Sequence, residues 1–380
     1  MLKKIHLENF KALKNIDLEF AKFNVLTGLN STGKTSVLQS MAFLKQSISR
    51  KEIMYNDYLL RLGEYREAVH KHDMSLPIRI KVSLSNSSED LDYDVTAAAK
   101  ATREEFFING ESAWHWDTQA PGVVEPWDRV FLGQAASGYG GGVFAATTEM
   151  EFKVTTVLQK FMADWFENML YLSSNRGFTK YSYPLLAGKP SIEDVSKRAG
   201  DMSLLEEWLA NLILFRINEA KRYPDAKKQL DVMSERLSRL GVDASPYVLG
   251  GPSVVIDLTE GDMWVSAVNS GYGINQSVSS IILGTLFPSQ TLITIEEPEM
   301  HLHPRMQKAV TGIFGDICNE GKQVIITSHS VHMLQSLREL VENGTLAPED
   351  VKVYNFEKLE RETKANNIDI TDEKLLNSLF

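Results

Sequence analysis

Several things are scarce in this 380-residue sequence, and each scarcity excludes a class of protein. A single cysteine, Cys318, excludes an intramolecular disulfide framework. No apolar run approaches the roughly 20 residues of a membrane-spanning helix, and with no signal peptide at its start the chain reads as cytoplasmic. A basic surplus is missing as well. The 40 Lys and Arg face 50 Asp and Glu, and a net charge of −10 argues against nonspecific nucleic-acid binding by the whole surface, leaving only a local basic patch for that role. No internal repeat or low-complexity tract stands out, and the helical stretch of the middle third, interrupted at Pro224, is too short for a long coiled coil. What remains is an ordinary globular composition, long enough for one elaborate domain or two interleaved lobes.

What the sequence does have begins at Gly28. Gly28-Leu29-Asn30-Ser31-Thr32-Gly33-Lys34-Thr35 takes the form GxxxxGK[ST], a pattern that composition alone would give in about one chain in a hundred of this length. Its flanks are the required ones. Phe23-Asn24-Val25-Leu26-Thr27 is short, apolar and β-prone, and Ser36 to Leu44 carries apolar residues at helical spacing. A loop between such a strand and helix gathers backbone N–H groups and a helix N-terminus around phosphate oxygens. The candidate nucleotide contacts are Asn30, Ser31, Thr32, Gly33, Lys34, Thr35 and Ser36, with Lys11 of the preceding segment counted among them. Lys34 is expected to reach the β/γ-phosphates and the Thr35 hydroxyl to ligate Mg²⁺, so ATP and Mg²⁺ are the expected ligands.

Around this loop the chain alternates between two regimes. Leu2 to Lys11 and Asn15 to Phe20 read as two antiparallel strands joined by a tight turn. Ile53 to Asp73 is charged and punctuated at Gly63. Leu76 to Leu84, Tyr93 to Thr96 and Phe106 to Ile108 ahead of Asn109-Gly110 predict a small antiparallel sheet beside the main one. Trp114 to Ala146, rich in Gly, Ala and aromatics, reads as a long loop, and Val154 to Asn168 as a helix. Met169 to Ser173 predicts a buried strand, and Ser203 to Leu240 predicts helix interrupted at Pro224, with Leu209, Leu212, Ile213 and Ile217 on one face. Seven basic and four acidic residues lie between Arg216 and Arg239, a solvated face or a patch for DNA or a partner. Val254 to Leu258 and Met263 to Val265 form a hairpin around Glu260-Gly261-Asp262, and Ile274 to Leu286 a helix. After Val351 to Phe356 the tail offers one more strand and a helix.

The chemistry continues near residue 296. Thr291 to Ile295 reads as a buried strand running straight into Glu296-Glu297-Pro298-Glu299. A helix from Pro304 to Asn319 follows, and then a second buried strand, Gln323 to Thr327, ends at Ser328-His329-Ser330. Strand, acid pair, helix, strand and histidine are the parts of an α/β nucleotide-hydrolase core. Adjacent carboxylates are costly unless a cation sits nearby, so Glu296 is expected in the Mg²⁺ shell and Glu297 on the water that attacks the γ-phosphate. His329 is expected to sense the γ-phosphate by hydrogen bonding.

This order resembles the ATP-binding-cassette heads of the SMC/RecF/OLD group. The residues that carry the likeness are the Gly28-to-Thr35 loop, Ser270-Gly271-Tyr272-Gly273 before a helix, Ile295 to Glu299, His301-Leu302-His303-Pro304 and Thr327-Ser328-His329-Ser330. The chain is most similar to prokaryotic OLD-like AAA-type ATPases of anti-phage defence loci. The likeness covers both ends, and in the middle only Tyr171-Leu172-Ser173-Ser174-Asn175-Arg176 matches a family segment. It implies an α/β cassette head with a P-loop core sheet, an accessory antiparallel sheet and a helical insertion. The implied division is 1–190 for the N-terminal half of the lobe, 191–245 for the insertion and 246–380 for the C-terminal half. It also implies a head-to-tail dimer sandwiching two ATP molecules. Ser270, Gly271 and Gly273 then match the signature loop that contacts the γ-phosphate held by the other subunit, and His301 to Pro304 the interfacial loop after the catalytic Glu.

The sequence departs from the family pattern at three points. Glu296 stands where cassette ATPases generally have Asp, which moves the carboxylate one methylene outward. The signature is not a full LSGGQ. No glutamine is assigned to the loop that completes the Mg²⁺ shell, because Gln39 and Gln46 fall within or just after the first helix. OLD nucleases carry a metal-binding Toprim domain after the ATPase core, whereas about fifty residues follow His329, too few for a typical domain, so a nuclease is expected on another chain. The expected activity is ATP hydrolysis, with ATP-dependent dimerisation regulating a partner effector, a nuclease or toxin of a defence system, or nucleic-acid engagement. The rivals are a nucleotide-gated scaffold with negligible turnover and a RecF-like DNA-repair ATPase.

Overall fold

Alternation of apolar and polar residues along the N-terminal segments produces β1 (Leu2–Phe10) and β2 (Leu13–Glu19), paired antiparallel from Lys4↔Glu19 to Phe10↔Leu13. The computed structural model describes residues 1–50, 53–85, 90–99, 101–117, 165–166, 168–188, 190, 202–359 and 362–372. The chain continues through β3 (Phe23–Gly28), α1 (Lys34–Arg50), α2 (Tyr65–Ala68), β4 (Ile78–Ser85), β5 (Asp90–Ala98), β6 (Ala101–Ile108) and β7 (Glu111–Asp117). Contacts divide it into two units, Met1–Glu19 with Gln39–Asn168 and Phe20–Leu38 with Met169–Phe380.

The first unit is built on one antiparallel sheet, ordered β2-β1-β4-β5-β6-β7. It is larger than the small sheet the sequence predicts, because β1 offers its second edge to β4 and the N-terminal hairpin thereby joins the later strands. Ile5, Leu7, Ile80, Val82, Tyr93 and Val95 lie on its buried face. Asn109 and Gly110, with φ of 51° and 82°, make the two-residue turn between β6 and β7, the positive-φ pair that matches the twist of a hairpin. Trp114 to Asp117, expected in a loop, continue that hairpin as β7, while 118–146 and most of the helix expected over 154–168 lie outside the described residues.

The second unit adds β8 (Met169–Leu172), β9 (Tyr183–Pro184), α3 (Met202–Ala220), α4 (Pro224–Ser238), β10 (Val242–Leu249), β11 (Ser253–Glu260) and β12 (Met263–Ser266). It closes with α5 (Tyr272–Leu286), β13 (Leu292–Glu296), α6 (Pro304–Asn319), β14 (Gln323–Thr327), α7 (Val331–Glu342), β15 (Val351–Leu359) and β16 (Glu362–Ile368). Its main sheet runs β16-β15-β3-β14-β13-β8, parallel except for the final β15–β16 hairpin. After Val351 two strands form where one is expected, and the helix expected beyond them lies outside the described residues. β8, β13 and β14 are buried at every position because helices cover both faces of a parallel sheet. Leu170, Ile293, Ile295, Val324 and Ile326 form the core with Val278, Ile282, Ile313 and Leu337 of α5, α6 and α7. A smaller antiparallel sheet, β10-β11-β12 with β9 beside β11, packs against α3 and α4. Among the described residues no helix is long and apolar enough to cross a membrane.

Candidate nucleotide site

The parallel strands of the second unit bring every acidic and phosphate-loop candidate to one edge. Register places Glu296 beside Thr327, Thr327 beside Leu26 and Ile295 beside Leu172, so the segments after β3, β14, β13 and β8 leave the sheet side by side. That carboxyl-end edge is where open α/β sheets bind ligands. At Gly28 the turn out of β3 requires glycine: its φ is 126°, and a Cβ there would meet the Phe356 carbonyl oxygen at 2.2 Å. Ser31 and Gly33 also have positive φ, 63° and 99°. Thr32 Oγ1 donates to Leu29 O at 2.8 Å and braces the loop. The amides of Asn30, Ser31, Thr32 and Gly33 make no hydrogen bond among the described residues, which leaves a row of donors at the start of α1. Such a row suits an anion.

Lys34 is buried and donates to Gly28 O at 2.8 Å and Leu29 O at 2.7 Å, so its ammonium folds over the loop. Burial lowers its pKa, against the opposing pull of Glu297 and Glu299. Thr35 is half-buried and Ser36 buried in the first turn of α1. Lys11 belongs to the first unit. It occupies the two-residue turn between β1 and β2 with φ of 53°, and its Nζ donates to Gln39 Oε1 at 2.5 Å. Gln46 is fully engaged inside that unit, donating to Met54 O and accepting from Leu60 N.

The acid pair divides into one buried and one open carboxylate. Glu296, 7% exposed, accepts from Tyr171 Oη at 2.6 Å and from Ser174 N at 3.3 Å. Burial raises its pKa in spite of those two donors and Arg176. Glu297 points its half-exposed carboxylate at His329, with Oε1 and Nε2 3.7 Å apart, beyond direct hydrogen-bond range. Burial and then the charge of Lys34 lower the His329 pKa, so the ring is neutral at pH 7. Lys34, Glu297, Glu299 and His329 thus form one electrostatic cluster.

Three residues to which the sequence reading gives no individual role hold that cluster together. Glu299, buried and with its pKa raised by burial, accepts from Ser328 Oγ and from His329 N, both at 2.7 Å. Tyr171 secures Glu296 as described. Arg176, 3% exposed, donates to the carbonyls of Ser173, Glu296 and Glu297. The sequence signal for all three was slight: Tyr171 lies in a short buried strand and Arg176 just after it, some 120 positions from Glu296, and Glu299 looks like one more acid in an acidic turn. Ser328 and Ser330, which bracket His329, have structural tasks. Ser328 meets Glu299, and Ser330 caps α7 by accepting from Met333 N at 3.1 Å.

Ser270 and Gly271 stand apart from this cluster, with no hydrogen bond to it among the described residues. Ser270 Oγ donates to Ala267 O at 2.8 Å, and Gly271 and Tyr272 are exposed at the start of α5. No side chain atom lies within 4 Å of where a Gly271 Cβ would sit, whereas a Cβ at Gly273 would meet His301 O at 2.5 Å. Gly273 is therefore required by packing of α5 against the loop after Glu297, and the Tyr272 and His301 rings meet edge-on at 5.0 Å.

A phosphate loop, two carboxylates and a histidine on one edge of a parallel sheet define a nucleoside-triphosphatase head of the SMC/RecF/OLD type. The chain belongs to the AAA ATPase domain family, which residues 1–124 and 145–334 match. It is similar to endonuclease GajA of Bacillus cereus, 24% identical over 327 residues that cover 81% of this chain and 52% of GajA. It is also similar to the OLD nuclease of Thermus scotoductus, 21% identical over 356 residues covering 87% of this chain and 59% of that protein. The chain thus spans between half and three-fifths of the length of both. A stretch of 92 residues is 35% identical to the DNA replication and repair protein RecF of Actinobacillus succinogenes. Among solved structures, an SMC head bound to the C-winged helix domain of ScpA aligns with a TM-score of 0.55 at 13% identity over 99% of both chains. A second SMC head, with an extended coiled coil and the C-terminal domain of ScpA from Pyrococcus furiosus, gives 0.53 at 13% over 100% of this chain and 98% of that one. These likenesses establish the fold as an α/β cassette-ATPase head.

Proposed function

We propose that this protein binds and hydrolyses ATP at the carboxyl edge of its parallel sheet, and that ATP-dependent pairing of two copies controls a partner effector. The observation that carries this reading is the single cluster of Lys34, Glu297, Glu299 and His329 beside a row of unengaged loop amides. In it, the amides of Asn30 to Gly33 and Lys34 Nζ hold the β/γ-phosphates, Lys34 exchanging its loop carbonyls for a charged partner. Thr35 Oγ1 and Glu296 would hold Mg²⁺, which would supply positive charge against the phosphates; among the described residues no cluster of three or more His, Cys, Asp or Glu would hold a metal unaided. Glu297 orients the attacking water and His329, neutral at pH 7, meets the γ-phosphate. Gly271, exposed at the start of α5, and the half-buried Ser270 before it serve the nucleotide of a second copy. The likeness to GajA and an OLD nuclease supports a nuclease-linked defence output, with the effector a nuclease or toxin.

Calorimetric ATP titration and phosphate-release assays test the core of this. Lys34→Ala is expected to weaken ATP binding by roughly 3 kcal/mol, as a charge-assisted contact is lost. Glu297→Gln is expected to bind ATP like the parent and turn it over roughly 10²-fold more slowly. Unchanged affinity in a folded Lys34→Ala protein removes the phosphate-loop assignment. A second reading, in which ATP locks an assembly without turnover, draws on Glu296, whose two oxygens are already engaged by Tyr171 and Ser174. A parent that binds ATP and pairs but releases no phosphate decides for it.

A further inference from the structure

We propose that Arg176 is a positioning residue that ties the start of α5 to the Glu296–Glu297 turn, so that engagement of that helix end sets the aim of the Glu297 carboxylate. The inference rests on the reading of Glu297 given above.

Arg176 is a costly residue to bury, and its placement is specific. Its Nη1 donates to Ser173 O at 2.8 Å and Glu296 O at 2.5 Å, its Nη2 to Glu297 O at 3.0 Å, and its Nε has no partner among the described residues. Burial pulls its pKa down to about 10, with Glu299, Glu296 and Glu297 resisting, so the guanidinium stays charged at neutral pH. The planar fork thus grips two successive peptide carbonyls, a geometry that an ammonium does not reproduce.

The peptide it grips is strained. Glu297 has φ of 42°, a conformation that residues with a side chain adopt only when their surroundings impose it. Here both ends are imposed. Glu297 N donates to Thr327 O at 3.0 Å and to Thr327 Oγ1 at 3.1 Å, while Arg176 holds its carbonyl. Releasing one end lets the backbone relax and turns the carboxylate away from His329.

The other end of the tie lies two residues further on. Phe178 N donates to Asn275 Oδ1 at 2.7 Å and Asn275 Nδ2 donates to Phe178 O at 2.8 Å, a two-bond clasp onto the first turn of α5. Asn275 N in turn donates to Gly271 O at 3.0 Å. Gly177 between them has φ of 118°, and a Cβ there would sit 2.9 Å from Asn275 Oδ1, so the strap is closed without slack. The start of α5 also packs against the loop that follows this turn, where Gly273 lies under His301 O. Gly271, at the exposed tip, is therefore joined to the Glu297 carbonyl through Asn275, its clasp on Phe178, the strap Phe178-Gly177-Arg176 and the Arg176 hydrogen bond.

The test uses the full chain with Arg176→Ala, Arg176→Lys and Asn275→Ala. Without nucleotide, hydrogen exchange at the Glu297, Met300 and Leu302 amides is expected to quicken in Arg176→Ala and Asn275→Ala, while amides of β14 and β15 stay as protected as in the parent. With ATP, the dissociation constant is expected to hold while kcat falls roughly 10- to 100-fold. Free guanidinium restores turnover to Arg176→Ala alone, and Arg176→Lys recovers part of it. Equal exchange at the three amides, or affinity and kcat falling together, overturns the tie. If Arg176→Ala fails to fold, Asn275→Ala with parental exchange and turnover overturns it equally. The two readings fail separately: a parent without turnover fails the Glu297 assignment, and a parent with turnover matched by Arg176→Ala fails this one.

Discussion

Gly28, Glu297 and His329 show how much of this site depends on single residues held where their neighbours require them. A Cβ on Gly28 would meet the Phe356 carbonyl oxygen at 2.2 Å, and its φ of 126° is itself unfavourable for a residue with a side chain. Gly28→Ala is therefore expected to cost more than about 2 kcal/mol, read as a lower denaturation midpoint at unchanged slope. His329 carries a pH signature. Its folded pKa is below its ordinary value, through burial and then Lys34, so below about pH 6.5 the unfolded chain binds a proton that the folded chain refuses. Above that window both states are neutral and the residue has no effect; stability is lost as pH falls through it. Thermal unfolding of His329→Gln should accordingly decline less than the parent between pH 7.5 and 5.5, roughly the span of an ordinary histidine titration. The positions of Lys34, Glu297 and His329 were legible because each follows a short buried run whose end points at the edge of a sheet. Arg176 and Tyr171 were not, because their meaning comes from β8 lying next to β13, a pairing between segments more than a hundred residues apart.

At the scale of elements, the turns after the strands are fixed to one another by side chains of the helices that follow them. Ser330 caps α7 and donates to Gln307 of α6, whose Nε2 reaches Leu302 O at 2.8 Å, so one serine links the histidine turn to the loop after Glu297. Ser330→Ala is expected to cost about 1 kcal/mol, the usual value of a lost N-cap, with ATP affinity unchanged in calorimetry. The basic stretch of α3 and α4 is less available than its composition implies. Arg236 is 3% exposed and pairs with Glu320, Arg239 pairs with Asp316, and Arg216 pairs with Glu219 at 3.1 Å. The strands buried on both faces and the helices at Pro304 and Tyr272 were readable from apolar runs and helical spacing. β10 and β16 were not, since β10 contains Pro246 and is half exposed, and Glu362 to Ile368 is polar at most positions; both exist because a neighbouring strand offers an edge.

At the scale of the whole molecule, the central claim is that a working site needs two copies of this chain. Ser270 and Gly271 lie at an exposed helix start, outside the hydrogen-bonded cluster around Lys34 and Glu297, which is the arrangement a composite site requires. The chain covers 52% of GajA and 59% of the OLD nuclease to which it is similar, and its residues 1–124 and 145–334 match the AAA ATPase domain. The direct measurement is a mixing experiment. Lys34→Ala and Ser270→Arg proteins, each inactive alone, are combined with differential tags that verify mixed pairs, and phosphate release is followed. A mixed pair holds one site with an intact Lys34 from one copy and an intact Ser270 from the other. The account predicts recovery to about a quarter of parental activity, since half the pairs are mixed and each has one of two sites restored. Activity that stays at the level of the separate variants while mixed pairs form contradicts it.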